Sequence, residues 1–243
     1  MTLPILTMTG IDAKTDPKWI RSMLRKYVLN SGYSGLEFAI LRSPKVDQSP
    51  RYPARDAIKR LVSEANPGDF AFHLCGRYAR MVHSLEWAEL CDIIDFSIVG
   101  RVQVNSTESD EKAILTLWRF SQHINKPVIM QWRANEFPLV PQSVHLLQDR
   151  SGGTGLAETR WAVPDQSTHR GRTYAPIGYA GGLGPSNVAD ALTRIRPLSR
   201  GRRFWIDCES SLRTDDWFDQ TKAEAMAEAV YAAMPDTFQE LRS

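Results

Sequence analysis

Short apolar runs alternate with amphipathic segments along the whole chain. The apolar runs have the length of buried strands, and the segments between them place apolar residues at the spacing of one helix face. In the first such segment, Asp16 is predicted to cap a helix and Pro17 to open it. Apolar residues at Ile20 and Met23 continue this helix, and Gly32 ends it. Strands and helices that alternate in this way predict an α/β protein with a parallel sheet.

Eight strands are predicted from the apolar runs. They cover Leu3–Thr9, Gly35–Leu41, Asp69–Leu74, Arg101–Asn105, Pro127–Trp132, Val144–Leu147, Ile177–Ala180 and Arg203–Ile206. For the fourth strand, Asp95–Val99 is an alternative. The chain has 243 residues, near the roughly 250 typical of a (β/α)8 barrel, so one TIM barrel domain spanning residues 1–243 is predicted. An open doubly wound sheet would have the same order of elements.

Further helices are predicted between the strands. They lie at about 54–64, 78–90, 110–124, 186–195 and 216–234. Ala134–Ser143 contains two prolines and no helical period, so helix 5 is predicted to be short or missing. Leu156–Tyr174 is rich in polar residues and is predicted to be an extended loop.

Two glycine-rich segments follow late strands. Gly152-Gly153-Thr154-Gly155 follows the sixth predicted strand, and Gly181-Gly182-Leu183-Gly184 follows the seventh. The second segment leads through Pro185-Ser186-Asn187 into a helix, whose first N–H groups would favour an anion. Glycine also lets a backbone approach a ligand closely. The late position predicts the phosphate cup that the loops after strands 7 and 8 form in such barrels. Two tight turns that require glycine are the simpler alternative.

Composition and charge exclude several classes of function. The charged residues are interspersed and give a net charge of +2, so no nucleic acid partner and no membrane-surface role is predicted. No apolar run approaches the ~18 residues of a membrane span, and the N-terminus has no signal-peptide pattern. The cysteines, Cys75, Cys91 and Cys208, have no metal-ligand spacing. We therefore expect reduced thiols, a cytoplasmic location and no bound metal.

Six segments spread over the chain form an ordered set. They are Thr7-Met8-Thr9-Gly10, Ser49-Pro50-Arg51-Tyr52, His73-Leu74-Cys75-Gly76, Leu147-Gln148-Asp149 with the first glycine segment, Ala180 to Val188, and Asp207-Cys208-Glu209-Ser210-Ser211-Leu212. In this order they resemble the phosphoribosylanthranilate isomerase family, whose members are phosphate-binding (β/α)8 barrels of tryptophan biosynthesis. The family has Lys-Ile-Cys-Gly at the first segment and Asp-Val-Ser-Ser-Gly-Val at the last.

The resemblance implies an Amadori rearrangement, in which an aminoaldose phosphate becomes a 1-amino-1-deoxyketose phosphate without a cofactor. It implies that Asp149 is the general acid. The family's base is a cysteine at the end of strand 1, where this chain has Thr9, and a hydroxyl is a far weaker acid than a thiol of pKa about 8.5. Either another group is the base, or the chain is a catalytically inactive barrel that binds a phosphosugar or a partner protein.

Several residues are candidates for the missing base or for structural roles. Cys75 ends strand 3 on the same face as His73, so the two could form a thiolate–imidazolium pair. A small buried thiol beside a core histidine is the alternative. Asp12 after strand 1 is a further candidate base. Glu37 lies inside strand 2, where a buried carboxylate needs a partner, and it is predicted to be structural.

The other predicted site residues hold the substrate, a phosphorylated small molecule. Phosphate binding is predicted for Gly181, Gly182, Ser210 and Ser211. The resemblance implies that Arg51 binds a substrate carboxylate and that Gly153 and Asp207 contact the substrate. Arg133 ends strand 5 and is predicted either to contact an anionic group or to form a salt bridge at the rim. The same cup could serve a lyase or aldolase, but strands 3 to 8 end in no lysine for a Schiff base. The protein is expected to be a monomer or a homodimer.

Overall fold

The computed structural model describes residues 5–46, 48–134, 136–149, 160–164, 175–199 and 203–239. Within these ranges eight parallel strands form a closed barrel, in which each strand pairs with the next and the last pairs with the first. They are β1 (Leu6–Thr9), β2 (Leu36–Arg42), β3 (Phe70–Leu74), β4 (Arg101–Val104), β5 (Val128–Trp132), β6 (Val144–Gln148), β7 (Ile177–Tyr179) and β8 (Phe204–Cys208). The closed barrel confirms the predicted (β/α)8 fold and excludes the open sheet.

Helices surround the barrel. They are α1 (Pro17–Lys26), α2 (Arg55–Val62), α3 (Arg77–His83), α4 (Trp87–Ile93), α5 (Glu111–Ile124), α6 (Val188–Ser199) and α7 (Gln220–Ala233). Asp16 caps α1 as predicted, because its side chain accepts the Lys18 N–H at 2.9 Å. The single helix predicted at 78–90 is wrong: α3 and α4 are separate, since Leu85 between them has a φ of +63° that interrupts helical geometry.

The segments around strands 4 and 5 bear on two further predictions. β4 lies in the favoured range, and the alternative at residues 95–99 contains only a 3-10 turn, Phe96–Ile98. Residues 133–143, apart from 135, contain no helix, so the prediction for helix 5 is confirmed over these residues. There a two-residue strand, Glu136–Phe137, pairs with Val163–Pro164 outside the barrel. Of the predicted loop at 156–174, only 160–164 belong to the described residues.

The strands bury both of their faces. Outward-facing side chains pack beneath the helices in one large apolar core. Inside the barrel, Ile129, Leu147, Ala180 and Trp205 form a second, smaller cluster, and Trp205 is fully buried. Among the helices of the described ranges, none combines the length and apolar character needed to cross a membrane.

An ion pair lies beside this inner cluster. Glu37 on β2 and Arg101 on β4 are both buried, with Arg101 Nε 2.7 Å from Glu37 Oε2 and Arg101 Nη2 2.8 Å from Oε1. Arg101 also donates to Thr7 Oγ1 at 3.0 Å and lies 4.3 Å above the Trp205 ring. Glu37 thus has the partner that its buried position requires.

A methyl group at Gly178 is expected to cost about 1–3 kcal/mol of stability, because overpacking a rigid core forces neighbouring side chains from their rotamers. A Cβ there would lie 2.3 Å from Trp205 Cε2 and 2.7 Å from Leu147 Cδ1. Urea unfolding of Gly178→Ala measures this cost. Gly68→Ala is the matched control, since its Cβ would meet nothing within 4 Å. Equal stability of the two variants would contradict the prediction.

Candidate active site

A cavity of about 280 Å³ opens at the carboxyl ends of the barrel strands. Barrel enzymes carry their chemistry at this end. The predicted site residues that line it are Thr9, Arg133, Asp149, Gly181, Gly182, Asp207, Ser210 and Ser211. Cys75 and Arg51 are not among the lining residues, and Gly153 lies outside the described residues.

The glycine loop after β7 forms one wall of the cavity. Gly181 and Gly182 have φ of +108° and +60°, the left-handed region that favours glycine. Asn187 holds the loop, because its Oδ1 accepts the Gly184 N–H at 2.8 Å and its Nδ2 donates to the Gly182 carbonyl at 2.9 Å. The loop after β8 packs against it, and the Ser211 hydroxyl donates to the Leu183 carbonyl. The two loops predicted to hold phosphate are therefore adjacent.

Asp207, near the end of β8, lies deep in the cavity. Its side chain is buried, and its Oδ1 accepts a hydrogen bond from Thr9 Oγ1 at 2.8 Å. Burial raises the pKa of Asp207 to about 8, although the Thr9 hydrogen bond and the charge of Arg101 act in the opposite direction. Since a general acid or base works best with a pKa near the working pH, this carboxyl suits proton transfer.

His73 on β3 faces the other oxygen of this carboxyl. Its Nε2 lies 3.8 Å from Asp207 Oδ2, and neither atom has a hydrogen-bond partner within the described residues. Burial, together with the positive charge of Arg101, lowers the pKa of His73 to about 3. At neutral pH a neutral imidazole therefore faces a carboxyl that largely keeps its proton.

Asp149 follows β6 and lines the same cavity. Its Oδ2 accepts a hydrogen bond from Gln131 Nε2 at 3.2 Å, and its backbone N–H donates to the Trp132 carbonyl at 3.1 Å. The carboxyl therefore has a defined direction, and it shares one cavity with Thr9 and Asp207. Met8 and Trp132, which could have filled such a pocket, are not among its lining residues.

The other candidate bases are placed less favourably. Cys75 Sγ accepts a hydrogen bond from Asn105 Nδ2 at 3.3 Å, and burial raises the pKa of its thiol to about 12. The thiol is thus protonated at neutral pH, and His73, whose carbonyl it faces, offers it no imidazolium. The Asp12 carboxylate instead accepts hydrogen bonds from two backbone N–H groups, that of Lys14 at 3.0 Å and that of Phe218 at 2.6 Å.

Arg51, predicted to bind a substrate carboxylate, is paired with carboxylates of the chain itself. Its Nη1 lies 2.8 Å from Glu209 Oε1, and its Nε donates to Asp216 Oδ1. Ser49 donates to the other oxygen of Asp216 at 3.0 Å. Glu209 lines the cavity. The Arg51–Glu209 pair therefore joins the loop after β2 to the loop after β8 at the cavity edge.

The polar residues that line the cavity but were not selected from the sequence include Gln103, Asn105 and Glu209. Gln103 and Asn105 alternate at the end of β4, and Gln103 Nε2 donates to Asn105 Oδ1 at 2.8 Å. Polar residues at alternate positions of a buried strand were the signal that could have identified both. Glu209 stands where the resembled family has serine, so its charge was a visible departure.

The described residues contain no cluster of histidine, cysteine and carboxylate side chains that could hold a metal ion. Comparison with family models and with curated proteins gives no match. Solved structures do match. The N-(5'-phosphoribosyl)anthranilate isomerase from Pyrococcus furiosus is 12% identical with a TM-score of 0.55, and the phosphoribosyl anthranilate isomerase from Thermococcus kodakaraensis is 14% identical with a TM-score of 0.53. Each match covers 94% of this chain and 99% of the other. The chain therefore shares the barrel fold of these isomerases.

Proposed function

We propose that this protein is an isomerase that converts a phosphorylated aminoaldose into a 1-amino-1-deoxyketose phosphate. One observation carries the proposal: Asp207 is buried in the same cavity that Asp149 lines, and its pKa is raised to about 8. Two carboxyl groups in one cavity can supply the acid and the base of an aldose–ketose isomerisation. In this chain Asp207 takes the place of the absent thiol.

The two carboxyl groups carry out the first two proton transfers of the reaction. Asp149 donates a proton to the furanose ring oxygen, the C1–O bond breaks, and the nitrogen lone pair forms a protonated imine at C1. Asp207, as the carboxylate, then removes the proton from C2, and the electron pair moves to the C1–N unit to give an enolamine. Protonation at C1 and loss of the enol proton yield the ketose. No oxidant or reductant enters this sequence.

Thr9 is a positioning residue in this proposal. Its hydroxyl donates to Asp207 Oδ1 at 2.8 Å, so it is a donor to the base rather than a base itself. This hydrogen bond leaves Oδ2 as the oxygen that can accept the C2 proton. His73 Nε2, 3.8 Å from Oδ2, lies on the same side.

The glycine loop and Ser210 are proposed to hold the phosphate. Backbone N–H groups at positive-φ glycines can form a concave anion site, and the loop leads directly into α6. The Ser211 hydroxyl donates to the Leu183 carbonyl, so Ser211 is proposed to contribute its backbone rather than its hydroxyl. Arg133, which also lines the cavity, adds a positive charge.

A barrel that binds a phosphosugar without turnover is the second candidate. The raised pKa of Cys75 favours it, because a protonated thiol cannot serve as the relocated base. Under this candidate Asp149 and Asp207 would only bind the sugar.

Turnover separates the two candidates. The substrates are 5-phosphoribosylamines carrying a phenyl or a 2-carboxyphenyl group on nitrogen, and ketose formation is followed by absorbance and by loss of phosphoribosylanthranilate fluorescence. We expect turnover by the wild type and a loss of at least about a hundredfold in Asp149→Asn, the typical contribution of a general acid. Asp56→Asn is the matched control, because that side chain is 98% exposed on α2. Binding of ribose 5-phosphate without turnover of either substrate would favour the binding barrel.

A further inference from the structure

Glu209 gives the cavity edge its charge. Its side chain runs from the end of β8 towards the loop after β1, since a Cβ at Gly10 would lie 3.6 Å from Glu209 Cγ. Its carboxylate then meets Arg51 Nη1 at 2.8 Å. The carboxylate therefore points away from the glycine loop after β7 and towards the β1–β2 side of the mouth.

Arg51 has no unbalanced charge to offer a ligand at this edge. Its guanidinium contacts both Glu209 and Asp216, and Ser49 fixes Asp216 in turn. An anionic ligand group would have to displace one of these carboxylates or to lie next to both. Like charges at such close range repel each other, so neither arrangement favours an anion.

The rest of the described lining also favours a ligand that donates hydrogen bonds. Its acidic side chains are those of Asp149, Asp207 and Glu209, and its cationic side chain is that of Arg133. Gln103 is 3% exposed, and because its Nε2 donates to Asn105, its Oε1 is an acceptor; that oxygen has no hydrogen-bond partner within the described residues. A buried acceptor without a partner is costly until a ligand donor reaches it.

We infer that the group carried on the substrate nitrogen is neutral or cationic and donates hydrogen bonds, and that Glu209 is the residue that selects against a carboxylate there. This inference rests on the proposed function, because the phosphate loop fixes which end of the ligand reaches the β1–β2 side. A carboxamide or an ammonium group can donate a hydrogen bond to Glu209, whereas a 2-carboxyphenyl group places its charge against Glu209.

Binding of unreactive analogues tests the inference without requiring turnover. Three 1-amino-1-deoxyribitol 5-phosphates carry 2-carboxyphenyl, 2-carbamoylphenyl or 2-(aminomethyl)phenyl on nitrogen, and calorimetry at pH 7.5 gives each Kd. We expect the carbamoyl and aminomethyl analogues to bind at least tenfold more tightly than the carboxy analogue. Glu209→Gln should bring the carboxy analogue to within about threefold of the carbamoyl analogue. Glu89→Gln, on the exposed surface of α4, is the matched control and should keep the tenfold difference.

The outcomes separate the inference from the proposed function. A carboxy analogue that binds as tightly as the carbamoyl analogue to the wild type would overturn the inference and leave the isomerase proposal standing. A tenfold difference that survives in Glu209→Gln would remove Glu209 as its cause. If neither ribose 5-phosphate nor any analogue binds, the proposed function fails and the inference fails with it. The wild-type order of affinities needs no variant, so the test holds even where Glu209→Gln folds poorly.

Discussion

The Asp207→Asn protein is expected to lose at least about a hundredfold in kcat/KM for an N-phenyl phosphoribosylamine while binding the unreactive analogues within a few-fold of wild type. Asparagine keeps the acceptor oxygen for Thr9 but cannot take a proton from C2. A loss in kcat with little change in affinity is the signature of a group that acts in the transition state. Thr9→Val should cost much less, since Thr9 only orients the carboxyl. Equal losses in both variants would contradict the assignment of Asp207 as the base.

The pH dependence provides an independent measurement of the same group. Because the pKa of Asp207 is raised to about 8, its carboxylate form is a minority at neutral pH and becomes dominant above that value. The wild-type kcat/KM should therefore rise through about pH 8. A profile that is flat from pH 6 to 9 would exclude a base that titrates in this range.

The raised pKa of Asp207 also determines the direction in which stability changes with pH. In the unfolded chain an aspartate has a pKa of about 3.9, whereas the folded protein keeps the Asp207 proton up to about 8. Between these values the folded state binds more protons, so the contribution of Asp207 to stability is lost as the pH rises. We expect the free energy of unfolding of Asp207→Asn at pH 9 to exceed that of the wild type by on the order of 5 kcal/mol, and to be about the same as that of the wild type at pH 4. Asp56→Asn should show no such difference.

Removal of one partner of the buried Glu37–Arg101 ion pair is expected to cause the largest loss of stability. Glu37→Gln or Arg101→Met should each lower the free energy of unfolding by about 3–5 kcal/mol, because each leaves the other charge buried and uncompensated. The two charged groups are each 1% exposed, so water does not screen the remaining charge. Denaturant unfolding at pH 7 measures the loss.

A double variant tests the cause of this loss. Glu37→Leu combined with Arg101→Met removes both charges together and should cost clearly less than the sum of the single changes. Arg101 also lowers the pKa values of His73 and His145. Histidine NMR titration of the double variant should therefore show both pKa values rising. Single variants that cost under about 1 kcal/mol would contradict a stabilising role for the pair.

The sequence was sufficient to predict the strands, because strands buried on both faces leave unbroken apolar runs that local reading detects. The chain length and the late glycine segments then favoured a barrel over an open sheet. The separation of α3 from α4 at Leu85 could not be predicted. The left-handed backbone conformation of a leucine is imposed by packing and not by the residue's own preference. Asp16 could be assigned as a cap because a side chain that accepts a nearby backbone N–H is a local device.

The features of the candidate site likewise divide into those that the sequence could predict and those that it could not. Thr9, Asp149 and Asp207 end or follow strands, and strand ends meet at one rim, so their shared cavity was foreseeable. The pairing of Arg51 with Glu209 and Asp216 was not foreseeable. These partners are separated from Arg51 by 158 and 165 positions in the sequence, and the contacts form between two loops. The burial that sets the pKa values of Asp207 and Cys75 is a property of the closed barrel and is absent from any local pattern.

Asn187 brings an evolutionary consequence. It stands just before α6, yet it holds the preceding loop through the Gly182 carbonyl and the Gly184 N–H. The shape of the loop is thus encoded partly outside the loop. In the recombination of barrel segments, a crossover between Gly184 and Asn187 would separate the loop from the side chain that shapes it. Exchange of the whole stretch from β7 through α6 would keep them together, which makes that stretch the natural unit of inheritance for this wall of the cavity.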